Sequence, residues 1–167
     1  VAVMAGSKIV FPGPHLDGES LCDLFDAERV TISCGVPTVW LGVLQTLRNH
    51  AGRWQFQPGM RMTCGGSAVP ESLIRNFAEL DMHIYQGWGM TETSPLATLG
   101  VAKGELAHAS ADEQFALRAK QGMVLPFVDL RLMGDDGEQQ RVGFQTYVPE
   151  RMSGFGGESR RPRPQDL

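Results

Sequence analysis

The sequence is poor in the residues that cross-link small secreted proteins or bind structural metals. It contains only three cysteines, Cys22, Cys34 and Cys64, and no Cys-x-x-Cys pair. An odd number of widely spaced cysteines predicts neither a disulfide framework nor a zinc site. The four histidines show no metal-ligand spacing either. We therefore expect buried or partly buried free thiols in a reducing compartment.

Long apolar runs and an excess of charge of one sign are also missing. No run approaches the ~20 apolar residues that a membrane-spanning helix needs, so no transmembrane segment is predicted. A net charge of −4 gives no reason to expect a nucleic-acid or membrane-surface partner. With 42% apolar and 20% charged residues, the chain has the composition of a globular protein. The lack of targeting signals and the free thiols predict a cytoplasmic location.

What the sequence does have is a regular alternation of strands and helices up to Tyr85. The predicted strands cover residues 8–11, 30–33, 60–64 and 83–85. The predicted helices cover residues 18–27, with Asp17 as N-cap, residues 38–50, and a segment from Pro70 with Leu73, Ile74, Phe77 and Leu80 on its buried face. This order is typical of an α/β fold with parallel strands, in which ligands bind beyond the carboxyl ends of the strands.

The remainder of the chain is less regular. Residues 111–120 have the pattern of a polar helix, residues 128–132 alternate as a strand does, and residues 134–137 predict a hairpin turn. From residue 141 onward glycine, arginine and proline are frequent and apolar periodicity is lost. The predicted domain therefore covers residues 1–140, and residues 141–167 are expected to form a disordered tail.

The most informative segment has the sequence QGWGMTETSP and begins at Gln86. It follows the last predicted strand and combines the flat ring of Trp88 with the Thr91 hydroxyl and the Glu92 carboxylate. A hydroxyl can donate to a phosphate oxygen, a carboxylate can hold Mg²⁺, and an indole can stack on a base. A structural alternative stays open, in which Thr91 and Glu92 only cap a turn.

Five segments share their order and spacing with one enzyme family: PGPHLDGESL, GVPTVWLGVL, CGGSAVP, QGWGMTETSPL and the stretch from QG at 121–122 to DDGE at 135–138. Over residues 1–140 the chain resembles the adenylate-forming (AMP-binding) superfamily, in the branch of medium- and long-chain fatty acid–CoA ligases (acyl-CoA synthetases). The resemblance implies an α/β fold. It corresponds to part of the large N-terminal domain, with a mostly parallel sheet, flanking helices and a small β-hairpin region after them.

The resemblance also implies the activity of an acid–thiol ligase. In this family a fatty acid or related carboxylic acid reacts with ATP and Mg²⁺ to give an acyl-adenylate and pyrophosphate, and coenzyme A then displaces AMP. Adenylation turns a carboxyl oxygen into a good leaving group, and the step depends on stabilising charge at phosphorus. The partners implied are therefore ATP or AMP, Mg²⁺, coenzyme A and a carboxylic acid.

The family's nucleotide-binding roles map onto two segments of this sequence. Thr91 would donate to the α-phosphate and Glu92 would coordinate Mg²⁺. Trp88 would pack against adenine. The remaining cofactor-binding residues implied by the resemblance are Gly65, Gly66, Ser67, Gln86, Gly87, Gly89 and Met90. For the segment 65–67 a plain strand-to-helix turn is compatible with both interpretations.

Three further residues are implied to face the acyl substrate. Trp40 matches a tryptophan at the fatty-acid tunnel of related enzymes, and Val39 and Ala68 are candidates for contact with the acyl chain. Tryptophans on helices more often belong to the core, and this alternative stays open for Trp40. Val39 has the same alternative.

The resemblance implies that other parts of the family's machinery lie outside this sequence. They are the phosphate-binding loop with its lysine, the ribose-binding aspartate and the mobile C-terminal domain. The similarity ends near Gln140, and a frameshift or a mispredicted gene end would produce the unrelated tail. Three hypotheses remain: a ligase fragment that is inactive alone, a non-catalytic remnant that binds adenine nucleotides, and an unstable truncated product.

Overall fold

Residues 2–101 and 108–139 are described by a computed structural model. They belong to two compact units, Val1–Asp129 and Leu130–Leu167. The elements of the first unit are α1 (Gly18–Ala27), β1 (Ile32–Gly35), α2 (Pro37–Asn49), β2 (Met60–Cys64), α3 (Glu71–Ala78), β3 (Met82–Gly89), a 3₁₀ turn (Thr91–Thr93), β4 (Leu96–Leu99), α4 (Ala111–Arg118) and β5 (Met123–Val124).

Local sequence signals fix the helices that precede β3. The Asp17 carboxylate accepts a hydrogen bond from the Ser20 N–H at 2.9 Å, as expected of an N-cap, and α1 has the predicted bounds. Pro37 stands at the start of α2, where its missing N–H leaves no helical bond unmade. Each helix presents one apolar face, and these faces are what the sheet buries.

The five strands form one sheet in the order β1-β2-β3-β4-β5. The first three strands are parallel, and their register places Gly35 beside Cys64 and Cys64 beside Gln86. β4 runs antiparallel to β3, and β5 runs antiparallel to β4. The fold is mixed α/β with a five-stranded sheet and flanking helices, which confirms the predicted fold class.

The hydrophobic core lies on one face of the parallel strands. Alternate residues of β2 and β3 point into it together with the apolar faces of α1, α2 and α3. The strand residues in this core are Met60, Met62, Cys64, Met82 and Ile84. On the other face of β2 and β3, Arg61, Thr63, His83 and Tyr85 are exposed or half-buried. The carboxyl ends of β1, β2 and β3 meet at one edge of the sheet, where the segments 65–69 and 86–89 come together.

Several predicted elements differ from the structure. Residues 8–11 form no strand, and Phe11 is 82% exposed, because an apolar run makes a strand only where a neighbouring strand pairs with it. Leu80 lies beyond the end of α3 and is 45% exposed, so it is not part of the buried face. β3 is longer than predicted and includes Gly87 to Gly89. β4 and β5 were not predicted at all.

The second unit is described over residues 130–139. The predicted strand 128–132 is not formed; a single antiparallel bridge joins Met133 to Gln139. The predicted turn is confirmed: the Gly134 N–H donates to the Glu138 carbonyl at 2.8 Å, and Gly137 has a φ of +77°. The predicted tail 141–167 lies outside the described residues.

Among residues 2–101 and 108–139, no helix combines the length and the apolar character needed to cross a bilayer.

Candidate functional site

Two glycine-bearing segments that the sequence singled out lie side by side at the carboxyl edge of the sheet. The Gly65 N–H donates to the Gly35 carbonyl at 3.2 Å. A Cβ built on Gly65 would stand 2.9 Å from the carbonyl oxygen of Gly87. On the other side of the segment, a Cβ on Gly66 would be 3.4 Å from the Val36 side chain. The structure therefore brings the 65–69 loop, the end of β3 and the start of α2 together.

The glycines of this edge are required mainly by contacts of the chain with itself. A Cβ on Gly87 would lie 2.7 Å from the Leu96 side chain, and one on Gly89 would lie 1.8 Å from the Pro95 carbonyl oxygen. Gly66 has a φ of +83°, a conformation that other residues rarely adopt. Close packing between neighbouring segments therefore already accounts for these glycines.

Gln86 is the polar residue that joins the two segments. Its side chain is 1% exposed. Its Oε1 accepts a hydrogen bond from the Val69 N–H at 3.2 Å, and its Nε2 donates to Oε1 of Gln121 at 2.8 Å. The resemblance implied Gln86 only as one of the cofactor-binding residues; in the structure its side chain also connects the two segments.

The turn Thr91–Thr93 is held by Thr93, not by Thr91 or Glu92. The Thr93 hydroxyl accepts from the Met90 N–H at 2.8 Å and lies 2.9 Å and 2.8 Å from the carbonyl oxygens of Met90 and Pro95. Thr91 and Glu92 are exposed, and within the described residues neither side chain makes a hydrogen bond or ion pair. The sequence left open that Thr91 and Glu92 cap this turn. In the structure Thr93 makes the capping hydrogen bonds instead.

The remaining nucleotide-site candidates are accessible to different degrees. Trp88 is half-buried on β3, paired with Thr98 of β4, and a register shift follows it at Gly89. Met90 is half-exposed at the N-terminal end of the 3₁₀ turn. Ser67 is exposed on the 65–69 loop. The aromatic ring and the loop therefore present surface at the same edge of the sheet.

The candidates for substrate contact lie at different depths. Trp40 is 1% exposed, and its ring faces Gly35, where a Cβ would stand 2.7 Å from the indole. Its Nε1 has no hydrogen-bond partner within the described part of the chain. Val39 is half-buried against the core, and Ala68 is exposed. Trp40 is thus placed in the core and packs against Gly35, whose carbonyl accepts a hydrogen bond from the Gly65 N–H.

Cys64 lies immediately before the 65–69 loop and is fully buried. Burial raises the pKa of its thiol to about 11. The thiol is therefore protonated at neutral pH, and since the thiolate is the reactive form, Cys64 is no nucleophile for the site.

Glu92 fits a magnesium ion that arrives with a nucleotide. Within residues 2–101 and 108–139 no group of three or more His, Cys, Asp or Glu side chains could hold a metal by itself. Mg²⁺ commonly binds through one or two carboxylates together with substrate phosphates, and it keeps several waters. One exposed carboxylate that has no partner among the described residues suits that mode, and it does not suit a resident all-protein metal site.

Sequence reasoning did not single out Gln121 or Thr98, which support this edge from β4 and the segment before β5. The Thr98 hydroxyl donates to the Gln121 carbonyl, and Thr98 is 1% exposed. The Gln121-Gly122 pair was noticed only as part of a matching stretch. Gly122 carries a recognisable signal, since turns with positive φ favour glycine and its φ is +84°; Gln121 carries none.

The fold and this edge define an α/β protein with a ligand-site architecture at the carboxyl ends of parallel strands. The sequence profile described as AMP-binding enzyme matches residues 1–145. The chain belongs to this family of AMP-binding enzymes.

Two curated relatives that match most of this chain are fatty acid–CoA ligases. The long-chain-fatty-acid–CoA ligase of Thermus thermophilus is 42% identical over 136 residues, which is 81% of this chain and 25% of that protein. The medium-chain-fatty-acid–CoA ligase of Ectopseudomonas oleovorans is 39% identical over 137 residues, again 81% of this chain and 25% of the relative. The chain spans about a quarter of the length of these relatives.

Solved structures share this fold. The N-terminal domain of FACL13 from Mycobacterium tuberculosis superposes with a TM-score of 0.63 at 25% identity, covering 83% of this chain and 32% of that one. The luciferase-like enzyme of the mealworm Zophobas morio superposes with a TM-score of 0.64 at 17% identity, covering 86% of this chain and 32% of that one. The second likeness concerns the fold alone.

Proposed function

We propose that this chain carries the adenine-nucleotide segment of an ATP-dependent fatty acid–CoA ligase. The reaction is adenylation of a fatty acid or related carboxylic acid by ATP, followed by transfer of the acyl group to coenzyme A with release of AMP. Membership of the AMP-binding family and the fatty acid–CoA ligase relatives support this activity.

The observation that carries the proposal is that different residues of the turn after β3 stabilise the turn and face solvent. Thr93 satisfies the polar groups of the turn, while Thr91 and Glu92 are exposed and without partners among the described residues. A threonine and a glutamate that do nothing for their own turn are free for a ligand. Thr91 donates to the α-phosphate, and Glu92 coordinates Mg²⁺, which neutralises phosphate charge.

The other candidate residues form the walls around these two. Trp88 packs against adenine, and the backbone of Gly87, Gly89 and Met90 shapes the pocket on one side. Gly65, Gly66 and Ser67 line it on the other side, and Gln86 joins the two walls. Gly65 and Gly87 are in close contact, so the two walls meet at this point of the sheet edge.

On the substrate side, Ala68 and Val39 contact the acyl chain, and Trp40 borders it. One observation supports this side: Ala68 is exposed on the same loop as Ser67.

The 167-residue chain alone forms no acyl-CoA. It spans about a quarter of the length of its ligase relatives, and catalytic groups that act as a unit lose nearly all activity when some are removed. The isolated chain binds the nucleotide. The ligase reaction to which it contributes uses ATP, Mg²⁺ and coenzyme A and takes place in the cytoplasm.

Calorimetry on the 167-residue chain tests the nucleotide site. We expect AMP to bind, and ATP to bind more tightly with Mg²⁺ than without it. Glu92→Gln is expected to abolish the magnesium effect and to leave AMP affinity intact. Glu79→Gln is the matched control, because Glu79 is also exposed and its substitution makes the same change in charge far from the turn. Absence of AMP and ATP binding would overturn the proposal.

A thioester assay tests the inactivity of the isolated chain. ATP-dependent acyl-CoA formation is expected to be no higher than that of a Glu92→Ala variant. Turnover above that variant would show that the chain is a complete catalyst. AMP binding without turnover is also the result expected of a non-catalytic nucleotide-binding protein, and the flanking genomic sequence, read in all frames for a phosphate-binding loop and a C-terminal domain, separates the two.

A further inference from the structure

Gln86 needs a partner that fixes the direction of its buried amide. The side-chain amide carries an oxygen and an NH₂ group. Without a further contact, rotation of the amide could place either group next to Val69. The Val69 N–H is a donor, so only the oxygen can pair with it. The NH₂ group must then meet an acceptor, and Oε1 of Gln121 is that acceptor at 2.8 Å.

Gln121 is in turn held in place through its backbone. The buried Thr98 hydroxyl donates to the Gln121 carbonyl. The next residue, Gly122, packs so closely on β4 that a Cβ would stand 2.2 Å from the Leu99 carbonyl carbon. The Gly100 N–H donates to the Gln86 carbonyl at 2.7 Å, which fixes the backbone at the other end of the contact. Gln121 thus projects toward Gln86 from a fixed position.

We infer that Gln121 is a positioning residue, which acts through Gln86 to hold the 65–69 loop against the end of β3. The contact chain runs from β4 through Gln121 and Gln86 to Val69, the last residue of this loop. Its importance for a ligand rests on the function proposed above, because Gly65, Gly66 and Ser67 belong to the same loop.

The contact chain is more than a surface hydrogen bond. Val69 is 4% exposed and its hydrogen bond to Gln86 is buried, so its N–H loses its partner in the interior if Gln86 turns away. A buried backbone donor without a partner is unfavourable, and the loop would have to move to bring the N–H to water. Gln121 itself is exposed. A residue at the surface therefore controls a hydrogen bond in the interior.

Amide hydrogen exchange, followed by NMR on the 167-residue chain, tests the contact chain without any nucleotide. Gln121→Met keeps the length of the side chain and removes the acceptor. We expect the protection of the Val69 amide to fall by about tenfold, while the amide of Met62 in the middle of the sheet keeps its protection. Gln121→Glu restores an acceptor at an exposed position and is expected to restore the protection. Gln45→Met, on the exposed side of α2, is the matched control.

Unchanged Val69 protection in Gln121→Met would overturn the inference. If that variant does not fold, the unsubstituted chain decides: the side-chain amide protons of Gln86 should exchange more slowly than those of exposed Gln45, and equal rates would overturn the inference. This wild-type measurement depends on no substitution.

Calorimetry with AMP tests the link to the nucleotide site. Gln121→Met is expected to raise the dissociation constant by up to about tenfold, and Gln121→Glu to return it to the original value. Loss of Val69 protection with unchanged AMP affinity would show that Gln121 positions the loop only, and would overturn its link to the nucleotide site. If the unsubstituted chain binds no AMP, the proposed function fails, and the exchange measurement still decides whether Gln121 positions the loop.

Discussion

A methyl group on Gly65 would stand 2.9 Å from the carbonyl oxygen of Gly87. This distance is shorter than ordinary contact between a methyl carbon and a carbonyl oxygen, so the loop after β2 and the end of β3 touch through their backbones. The Gly65 N–H also donates to Gly35. One glycine therefore fixes the spacing of three strand ends, and with it the base of the candidate nucleotide site.

Replacing Gly65 by alanine is expected to destabilise the fold. The added Cβ would meet rigid backbone at Gly87, and relief requires the loop or β3 to shift. Overpacking of this kind costs about 1–3 kcal/mol. The change should appear as a lower midpoint in urea unfolding, with little change in the slope of the transition.

Gly42→Ala is the matched control for that substitution. Gly42 lies inside α2, where a Cβ would meet no atom within 4 Å. Alanine is favoured over glycine in a helix interior by about 0.5–1 kcal/mol, so this variant is expected to be more stable than the parent chain. Equal stability of the two alanine variants would contradict the close contact between Gly65 and Gly87.

Thr93→Val and Thr91→Val are expected to separate stability from binding. Thr93 contacts Met90 and Pro95 through its hydroxyl, and its loss should lower the free energy of unfolding by about 1–2 kcal/mol. Thr91 makes no such contact among the described residues, so its replacement should change stability by less than about 0.5 kcal/mol. In calorimetry, Thr91→Val should weaken AMP binding at least about tenfold.

Thr93→Ser provides the control, because it keeps the hydroxyl and should keep most of the stability. The opposite pattern, with a stability loss at Thr91 and none at Thr93, would restore the alternative in which Thr91 only supports the turn.

The elements that could be predicted from the sequence are those with local signals. Asp17 marks the start of α1, and alternation of apolar and polar residues marks β2 with its observed bounds. β4 and β5 carry no comparable signal, because they form by pairing with β3 and with each other across intervening chain. Residues 8–11 show the converse: an apolar run with no pairing partner is no strand.

For the site, the sequence identified the segments and not the division of roles within them. The motif draws attention to Thr91 and Glu92, but only the structure shows that Thr93 holds the turn. Gln121 lies 35 residues after Gln86, and a hydrogen bond over that separation depends on the register of three strands. Such a contact has no pattern in a single sequence.

The stability of the fold is expected to fall at alkaline pH because of two buried thiols. Burial raises the pKa of Cys22 to about 12 and that of Cys64 to about 11, from an ordinary value of 9.0. Below pH 9 both the folded and the unfolded chain keep these protons, so the stability is fully present. Above it the unfolded chain loses protons that the folded chain retains, and unfolding becomes more favourable up to the raised pKa values.

Between pH 8 and pH 10 the two thiols together should reduce the free energy of unfolding by about 2–3 kcal/mol. Urea unfolding at a series of pH values measures this. A Cys22→Ala/Cys64→Ala variant is expected to be less stable at every pH, owing to its cavities, and to show a flatter decline. The same slope in both proteins would assign the alkaline effect to other groups.

Thiol labelling is expected to distinguish Cys34 from the other two cysteines. The sequence predicted thiols that are at least partly buried, but Cys34 is exposed on β1, at the edge of the sheet, whereas Cys22 and Cys64 are buried. A thiol reagent reacts with an accessible thiolate, whereas the two buried thiols are neither accessible nor ionised at neutral pH. At neutral pH the folded chain should therefore react once, and the chain in denaturant should react three times.

Cys34→Ser should abolish the reaction of the folded chain without changing its unfolding midpoint. Rapid labelling of Cys22 or Cys64 in native buffer, identified by mass spectrometry of the peptides, would contradict their burial in the core.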